Sequence, residues 1–212
     1  MRIGKSCGVS REIVVDGAWS PGGKSGGRAA GFSLLITWVV VAWGLEVVDL
    51  ILPGLGLDRF GIVPRQLPGL IGVVCSPWLH AGFGHLASNT VAFLGLGTIV
   101  LLAEGRRFLS TTVVLVLVSG LGTWLIGRTS IHIGASGLVY GYFGYVMGRA
   151  IWERKILWAL VGIIVAAVYG WMIWGVLPGR GPVSWEGHLS GLVAGLWLGW
   201  THVKADRGGM RA

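Results

Sequence analysis

The stretch IHIGASGLVYGYFGY, residues 131–145, decides the fold because it joins a short polar segment directly to a hydrophobic one. Its single serine, Ser136, lies between small residues at the start of an apolar run that continues to about residue 151. Apolar runs that contain glycine are typical of helices that pack closely within a membrane. The stretch therefore raises the question of why a hydroxyl group stands where alanine would pack equally well.

The composition of the chain indicates a membrane protein. Of its 212 residues, 53% are hydrophobic and only 12% are charged, whereas soluble domains carry about 25% charged residues. Its 12 tryptophans fit the same class, because tryptophan concentrates at the two surfaces of a bilayer. The length allows a single domain of about six membrane spans at roughly 20 residues each.

Hydropathy predicts an all-α membrane protein, a bundle of six transmembrane helices with a long first extracytoplasmic loop at about 53–83. The predicted spans are 32–52, 84–103, 108–127, 136–151, 156–177 and 187–203. They divide the chain into a flexible cytoplasmic tail at 1–31, a membrane domain at 32–203 and a short cytoplasmic tail at 204–212. The first tail has no early apolar run, so it does not predict a signal peptide.

Lysine and arginine predict the orientation of the bundle, because they concentrate in cytoplasmic loops. An even number of spans gathers 13 of them on one side: Arg2, Lys5, Arg11, Lys24, Arg28, Arg106, Arg107, Arg149, Arg154, Lys155, Lys204, Arg207 and Arg211. Only Arg59, Arg65, Arg128 and Arg180 fall on the other side. We therefore expect a multi-pass protein with both termini cytoplasmic, and the high Gly, Val and Arg usage favours a bacterial plasma membrane. The same asymmetry accounts for the net charge of +8 without nucleic acid as a partner.

Three polar residues lie at one depth on predicted spans 2, 4 and 6, which all run inward. Asn89 precedes Glu104 by 15 residues, Ser136 precedes Arg149 by 13 and Arg154 by 18, and His188 precedes Lys204 by 16. At 1.5 Å per residue, each lies roughly 20–27 Å above the cytoplasmic boundary. The spans thus bring three polar side chains together just below the outer surface of the bilayer.

Each of these residues also has a structural interpretation. Ser136 can be a small residue at a helix contact, a pattern that Gly137 and Gly141 continue. His188 can be a hydrogen-bonding group between helices, and His85 and Asn89, four residues apart on one helical face, can bridge neighbouring spans. Ionisable residues inside a membrane are nevertheless functional candidates by default, and a set at one depth strengthens that interpretation.

The residue types match nucleophilic catalysis. A serine hydroxyl requires a base within hydrogen-bond reach, and a neutral imidazole such as that of His188 serves near pH 7. Ser136 begins a span, where free backbone N–H groups can bind a developing oxyanion, and His85 and Asn89 supply further donors. No acidic residue is placed to orient His188, since Glu186 is expected to face the outer loop. The pattern therefore predicts a serine–histidine dyad.

The chain resembles the rhomboid family of intramembrane serine proteases. The matching segments are HAGFGHLASN at 80–89, GASGLVYGYFG at 134–144 and GHLSGLVAG at 187–195, in this order on spans 2, 4 and 6. The resemblance extends over about 32–203, and it implies a rhomboid-like bundle of six transmembrane helices. It also implies that the substrates are transmembrane segments of other proteins in the lipid bilayer, cut near their extracytoplasmic end.

The resemblance also assigns roles to residues. It implies Ser136 as the nucleophile and His188 as the general base and later acid, with an oxyanion site formed by His85, Asn89 and the Ser136 backbone N–H. It implies a supporting hydrogen bond from His80, for which a loop position is expected, and packing of Tyr140 on the catalytic histidine. Glycine at 134 and 137 would permit a tight turn into the helix.

Two other function classes remain open. A catalytically inactive relative could bind membrane segments, although such relatives usually lack the serine or the histidine. A small transporter or channel would need carboxylates within several spans, whereas only Glu46 and Asp49 lie within one. The spacing of histidines and acids predicts neither a zinc nor an aspartyl protease, and no cofactor or metal is expected.

Overall fold

Long helices account for most of residues 22–179, 181 and 183–208, the part of the chain that the computed structural model describes. They are α1 (Gly22–Ile51), α2 (Phe83–Glu104), α3 (Phe108–Ile126), α4 (Ser136–Trp152), α5 (Ile156–Tyr169) and α6 (Trp185–Arg207). Each overlaps one of the segments that hydropathy predicts as a span. Helix α1 begins at Gly22, ten residues before the predicted span, so part of the predicted first tail is helical. Residues 1–21 and 209–212 of the two predicted tails lie outside the described residues.

Three helical segments of the described residues are long and apolar enough to cross a bilayer. They are Gly27–Ile51, Phe83–Ile126, which contains both α2 and α3, and Ile156–Val176. Large apolar side chains on them point outward; Ile156 is 78% exposed and Trp174 is 72% exposed. A continuous apolar surface of this kind is suited to lipid rather than to water.

Helices α4 and α6 are absent from that set because α4 has only 17 residues and α6 is less apolar along its length. Most of α4 is buried, so its side chains contact other helices and need not be uniformly apolar. The two helices run in the same direction and touch through glycine. A Cβ atom at Gly191 would lie 2.0 Å from the Gly137 carbonyl oxygen, and one at Gly195 would lie 2.0 Å from that of Gly141. The close helix contact predicted from these small residues is therefore present.

The segment between α1 and α2 is a series of short helical turns rather than an open loop. These turns are Pro53–Leu55, Leu57–Phe60, Leu67–Ile71, Gly72–Cys75 and Ser76–Trp78. Trp78 stacks on Trp38 of α1 with ring centroids 3.9 Å apart. Ile62 and His132 form an antiparallel bridge with two backbone hydrogen bonds of 2.9 Å. The segment is thus attached both to α1 and to the chain that leads into α4.

Charged and hydrogen-bonding side chains lie together where α2, α4 and α6 end. We call this group the ionic end: Glu104, Arg107, Tyr145, Arg149, His202 and Asp206. The buried Glu104 carboxylate contacts Arg149 at 2.8 Å and Arg107 at 3.2 Å. Arg149 also contacts Asp206 at 3.1 Å. Because α2, α4 and α6 all end here, their first turns lie together at the opposite end, which we call the site end.

Candidate active site

Ser136 is the first residue of α4 and follows a backbone turn that only glycine accommodates well. Gly134 has φ of 111°, and a Cβ atom there would lie 2.7 Å from His85 Cε1. The Gly134 N–H donates to the Ser76 carbonyl oxygen at 2.9 Å, which fixes the turn. The first N–H groups of a helix have no partner within the helix, so the backbone N–H of Ser136 has no acceptor in α4.

His188 lies in the first turn of α6 and is buried. Its Nδ1 is 2.9 Å from the Gly175 carbonyl oxygen. Because a carbonyl only accepts, this contact places the ring proton on Nδ1 and leaves Nε2 with a free lone pair. The neutral ring therefore has an available base at Nε2.

Tyr140, one turn into α4, holds the His188 ring from one side. The two rings are stacked with centroids 4.1 Å apart and an interplanar angle of 10°. The Tyr140 hydroxyl donates to the Met172 carbonyl oxygen at 2.7 Å. The predicted packing of this tyrosine on the histidine is present in the structure.

His85 and Asn89 lie on one face of α2, above the turn that precedes Ser136. The position of a Cβ atom at Gly134 would be 2.7 Å from His85 Cε1 and 3.6 Å from Asn89 Nδ2. Within the described residues, the buried Asn89 Nδ2 has no hydrogen-bond partner. A buried amide without a partner is uncommon, and this one can donate to a group that enters the site.

His80 lies before α2, in the loop position expected from the sequence. Its Nε2 accepts a hydrogen bond from the Ala135 N–H at 3.3 Å, and its ring meets His85 edge-on with centroids 5.1 Å apart. Burial lowers the pKa of His80 to about 4, so the ring is neutral and its Nε2 can accept. His80 therefore holds the segment that carries Ser136 by a hydrogen bond to its backbone.

Five of the seven predicted site residues line one cavity. It has a volume of about 770 Å³ and is lined by Ser136, His188, His85, Asn89 and Tyr140. Apolar side chains complete its wall, among them Val139, Trp171 and Met172. Gly134 lines a smaller cavity of about 30 Å³ next to it, which also reaches Ser136 and is large enough for a water molecule. Of the seven predicted residues, only His80 lines neither space.

The sequence did not predict three polar residues of the site end as part of the site: Arg128, His132 and Ser184. His132 Nδ1 is 2.6 Å from Ser184 Oγ, and both residues line the larger cavity. Arg128 contacts Glu186, which is 1% exposed, at 3.4 Å. The available signal was spacing, since His132 precedes Ser136 by four residues and Ser184 precedes His188 by four.

Glu186 bonds to Arg128 rather than to His188. Glu186 Oε1 accepts from the Arg128 backbone N–H at 3.0 Å, so it faces the segment between α3 and α4, as expected, but it is buried there rather than exposed. In the part of the chain that the structure describes, no group of three or more His, Cys, Asp or Glu side chains is placed to hold a metal ion.

Comparisons with known proteins cover most of the chain. The model of the rhomboid domain matches residues 68–205. A Mycobacterium tuberculosis protein that is itself named as uncharacterized is 39% identical over 175 residues, which cover 78% of this chain and 72% of that protein. A Mycobacterium leprae protein, also named as uncharacterized, is 34% identical over 171 residues, 76% of this chain and 67% of its own. The RHOMBOID-like protein 4 of Arabidopsis thaliana is 30% identical over 132 residues, 58% of this chain and 31% of its own.

Proposed function

The chain belongs to the rhomboid family, and we propose that it is an intramembrane serine endopeptidase with Ser136 as nucleophile and His188 as general base. It is an integral membrane protein, as its apolar helices and its family indicate. One observation carries the proposal. Ser136, a histidine with a free Nε2 and an amide donor without a partner all line the same cavity.

The reaction follows from these groups. Ser136 Oγ attacks the carbonyl carbon of the scissile peptide while His188 Nε2 takes the hydroxyl proton. The carbonyl oxygen becomes an oxyanion that accepts hydrogen bonds from Asn89 Nδ2, His85 and the Ser136 backbone N–H. His188 then gives its proton to the leaving amine, and the C–N bond breaks to leave an acyl ester on Ser136. Water, deprotonated by His188, hydrolyses this ester and restores the serine.

Fixed neighbours suit His188 to both proton transfers. The Gly175 carbonyl keeps the ring proton on Nδ1, which is the part that an aspartate takes in a triad. When Nε2 also gains a proton, the same carbonyl stabilises the charged ring. Tyr140 prevents the ring from turning away, so the base acts as a dyad member without a carboxylate.

The substrate class follows from the place of the site. We propose that all six long helices cross the bilayer, that 32–203 is the protease domain and that 1–31 and 204–212 are cytoplasmic tails. The concentration of Lys and Arg at the ionic end supports this orientation. The site end then lies toward the extracytoplasmic surface, and the substrates are transmembrane segments of other membrane proteins cut near that surface.

The test compares the wild type with Ser136→Ala and His188→Ala in liposomes that contain a labelled single-span substrate. We expect each variant to lose cleavage by about 10⁴-fold or more, because the two residues act as a unit. The control is Ser110→Ala at the start of α3, where the hydroxyl contacts only the Arg107 carbonyl of its own turn among the contacts described.

A serine-directed fluorophosphonate gives a second measurement that does not depend on the choice of substrate. We expect it to label the wild type and the control at Ser136, and to leave Ser136→Ala unlabelled. Cleavage that persisted in a folded Ser136→Ala protein would contradict the assignment. A folded wild type that neither cleaved nor reacted would indicate a protein that binds membrane segments without cutting them.

A further inference from the structure

Two residues outside the proposed dyad are placed symmetrically with respect to it. His132 precedes Ser136 by four residues in the segment that leads into α4, and Ser184 precedes His188 by four at the start of α6. His132 Nδ1 lies 2.6 Å from Ser184 Oγ, a side-chain contact that joins the two segments directly. His132 is 5% exposed, so solvent does not compete freely for this bond.

The direction of the bond follows from its neighbours. His132 Nε2 is 3.1 Å from the Arg128 carbonyl oxygen, which only accepts, so Nε2 carries the proton of the neutral ring. Nδ1 is then the acceptor, and the Ser184 hydroxyl donates to it. This arrangement leaves the lone pairs of Ser184 Oγ free to accept from elsewhere.

Ser184 uses those lone pairs to cap α6. Its Oγ accepts from the Gly187 N–H at 3.4 Å, the contact typical of a helix N-cap. Its carbonyl oxygen accepts from the His188 N–H at 3.1 Å. The backbone of the proposed base is therefore bonded to the residue that His132 orients.

His132 is itself fixed from the other side. Its backbone N–H and carbonyl pair with Ile62 in two bonds of 2.9 Å, which attach it to the segment between α1 and α2. Arg128 adds a second connection to the start of α6, since its backbone N–H donates to Glu186 at 3.0 Å and its guanidinium donates to the Val183 carbonyl. The segment before Ser136 thus holds the start of α6 by two independent contacts.

We propose that His132 and Ser184 are positioning residues whose hydrogen bond sets the distance between the Ser136 hydroxyl and the His188 ring. The proposal rests on the proposed function, since it concerns the same dyad. Neither residue takes part in bond making. The bond joins the two short segments from which nucleophile and base project, so its loss lets the start of α6 shift relative to α4.

The experiment measures cleavage and fluorophosphonate labelling for His132→Ala, Ser184→Ala and the double variant, each rate being divided by the number of Ser136 sites that label to completion. We expect kcat per labelled site to fall about 10- to 100-fold, the usual consequence of a displacement of about 1 Å at a reacting centre. The KM for the substrate should stay within about twofold, because the apolar wall of the cavity is unchanged. The double variant should match the single variants, since both remove the same bond.

Conservative variants separate positioning from helix stability. Ser184→Gly retains most of the capping preference but has no hydroxyl, so it should be as slow as Ser184→Ala. Ser184→Thr retains the hydroxyl and should recover most of the rate. Ser110→Ala, a serine in the first turn of α3 at the other end of the bundle, should match the wild type.

The outcomes distinguish this proposal from the one on which it rests. If the wild type is not labelled at Ser136, the proposed function fails. If the wild type is labelled and Ser136→Ala is not, while His132→Ala and Ser184→Ala keep the wild-type rate per labelled site, only the positioning proposal is overturned. Losses that multiply in the double variant would also overturn it, because they would show two separate effects.

Discussion

The two ends of α2, α4 and α6 differ in whether their buried polar groups have partners. At the ionic end, the single carboxylate of Glu104 has four partners: Arg107, Arg149, Tyr145 and His202. At the site end, the Asn89 amide is buried without a partner in the described residues, and a cavity of about 770 Å³ separates the polar side chains. On these three helices, the buried carboxylate at the ionic end therefore has several partners, whereas the buried Asn89 amide at the site end has none among the described residues.

The difference indicates how stability and activity are divided along the bundle. Buried charges that satisfy each other hold helices together, and removing one partner is costly because the other is left uncompensated. Buried donors that are left unsatisfied lower the stability of the fold, because the water they lost is not replaced, but they can bind a group that arrives from outside. Substitutions at the ionic end should change folding, whereas those at the site end should change the reaction.

The largest effect on stability is expected from Arg149→Ala. This change leaves Glu104 buried without its closest cation, so the free energy of unfolding should fall by about 3–5 kcal/mol. Thermal unfolding in detergent measures the loss. The matched control is Lys155→Ala, because Lys155 is 72% exposed and contacts only Glu153 among the described ion pairs; there we expect about 0–1 kcal/mol. Equal losses for the two variants would remove the distinction between the ends.

Asn89→Ala should show the reverse behaviour. The loss of an oxyanion donor typically lowers kcat by about 10²- to 10³-fold. The free energy of unfolding should change little, because Nδ2 has no described partner to lose. Single-turnover cleavage and thermal unfolding are measured on the same preparation. Thr90→Ala, the next residue on α2, serves as the control, since its hydroxyl bonds to its own helix and to Trp43. A variant that unfolded easily but cleaved normally would contradict this assignment.

The smallest effect is expected from Tyr140→Phe, which sharpens the comparison. The change removes one hydrogen bond of 2.7 Å to Met172 but keeps the ring on His188. We expect a loss of about 1 kcal/mol in stability and less than a tenfold decrease in kcat. Tyr140→Ala, which removes the stacked ring as well, should decrease kcat further. Identical kinetics for the two variants would show that the ring does not hold the histidine.

The sequence was sufficient to predict the parts of the fold that depend on local pattern. The polar residues at equal depth on three helices meet at one cavity, and the small residues at 137, 141, 191 and 195 form a close helix contact. Both features follow from the regular rise and periodicity of a helix, which spacing along the chain reveals directly.

Features that depend on pairing between distant residues were not predictable in this way. Glu104 and Arg149 served only as markers of a membrane boundary, yet they are buried and 2.8 Å apart. His132 did not stand out because its partner, Ser184, lies 52 residues away. Hydropathy also placed the start of α1 at the first apolar residue, whereas the helix continues back through polar residues to Gly22.

The ionic end has a consequence for the synthesis of the chain. Glu104 leaves the ribosome 45 residues before Arg149 and 98 residues before His202. Of the ion-pair partners described for Glu104, Arg107 is the one already present before those residues are synthesised. A chain that ended before Arg149 would therefore hold the buried Glu104 with one of its three described ion-pair partners.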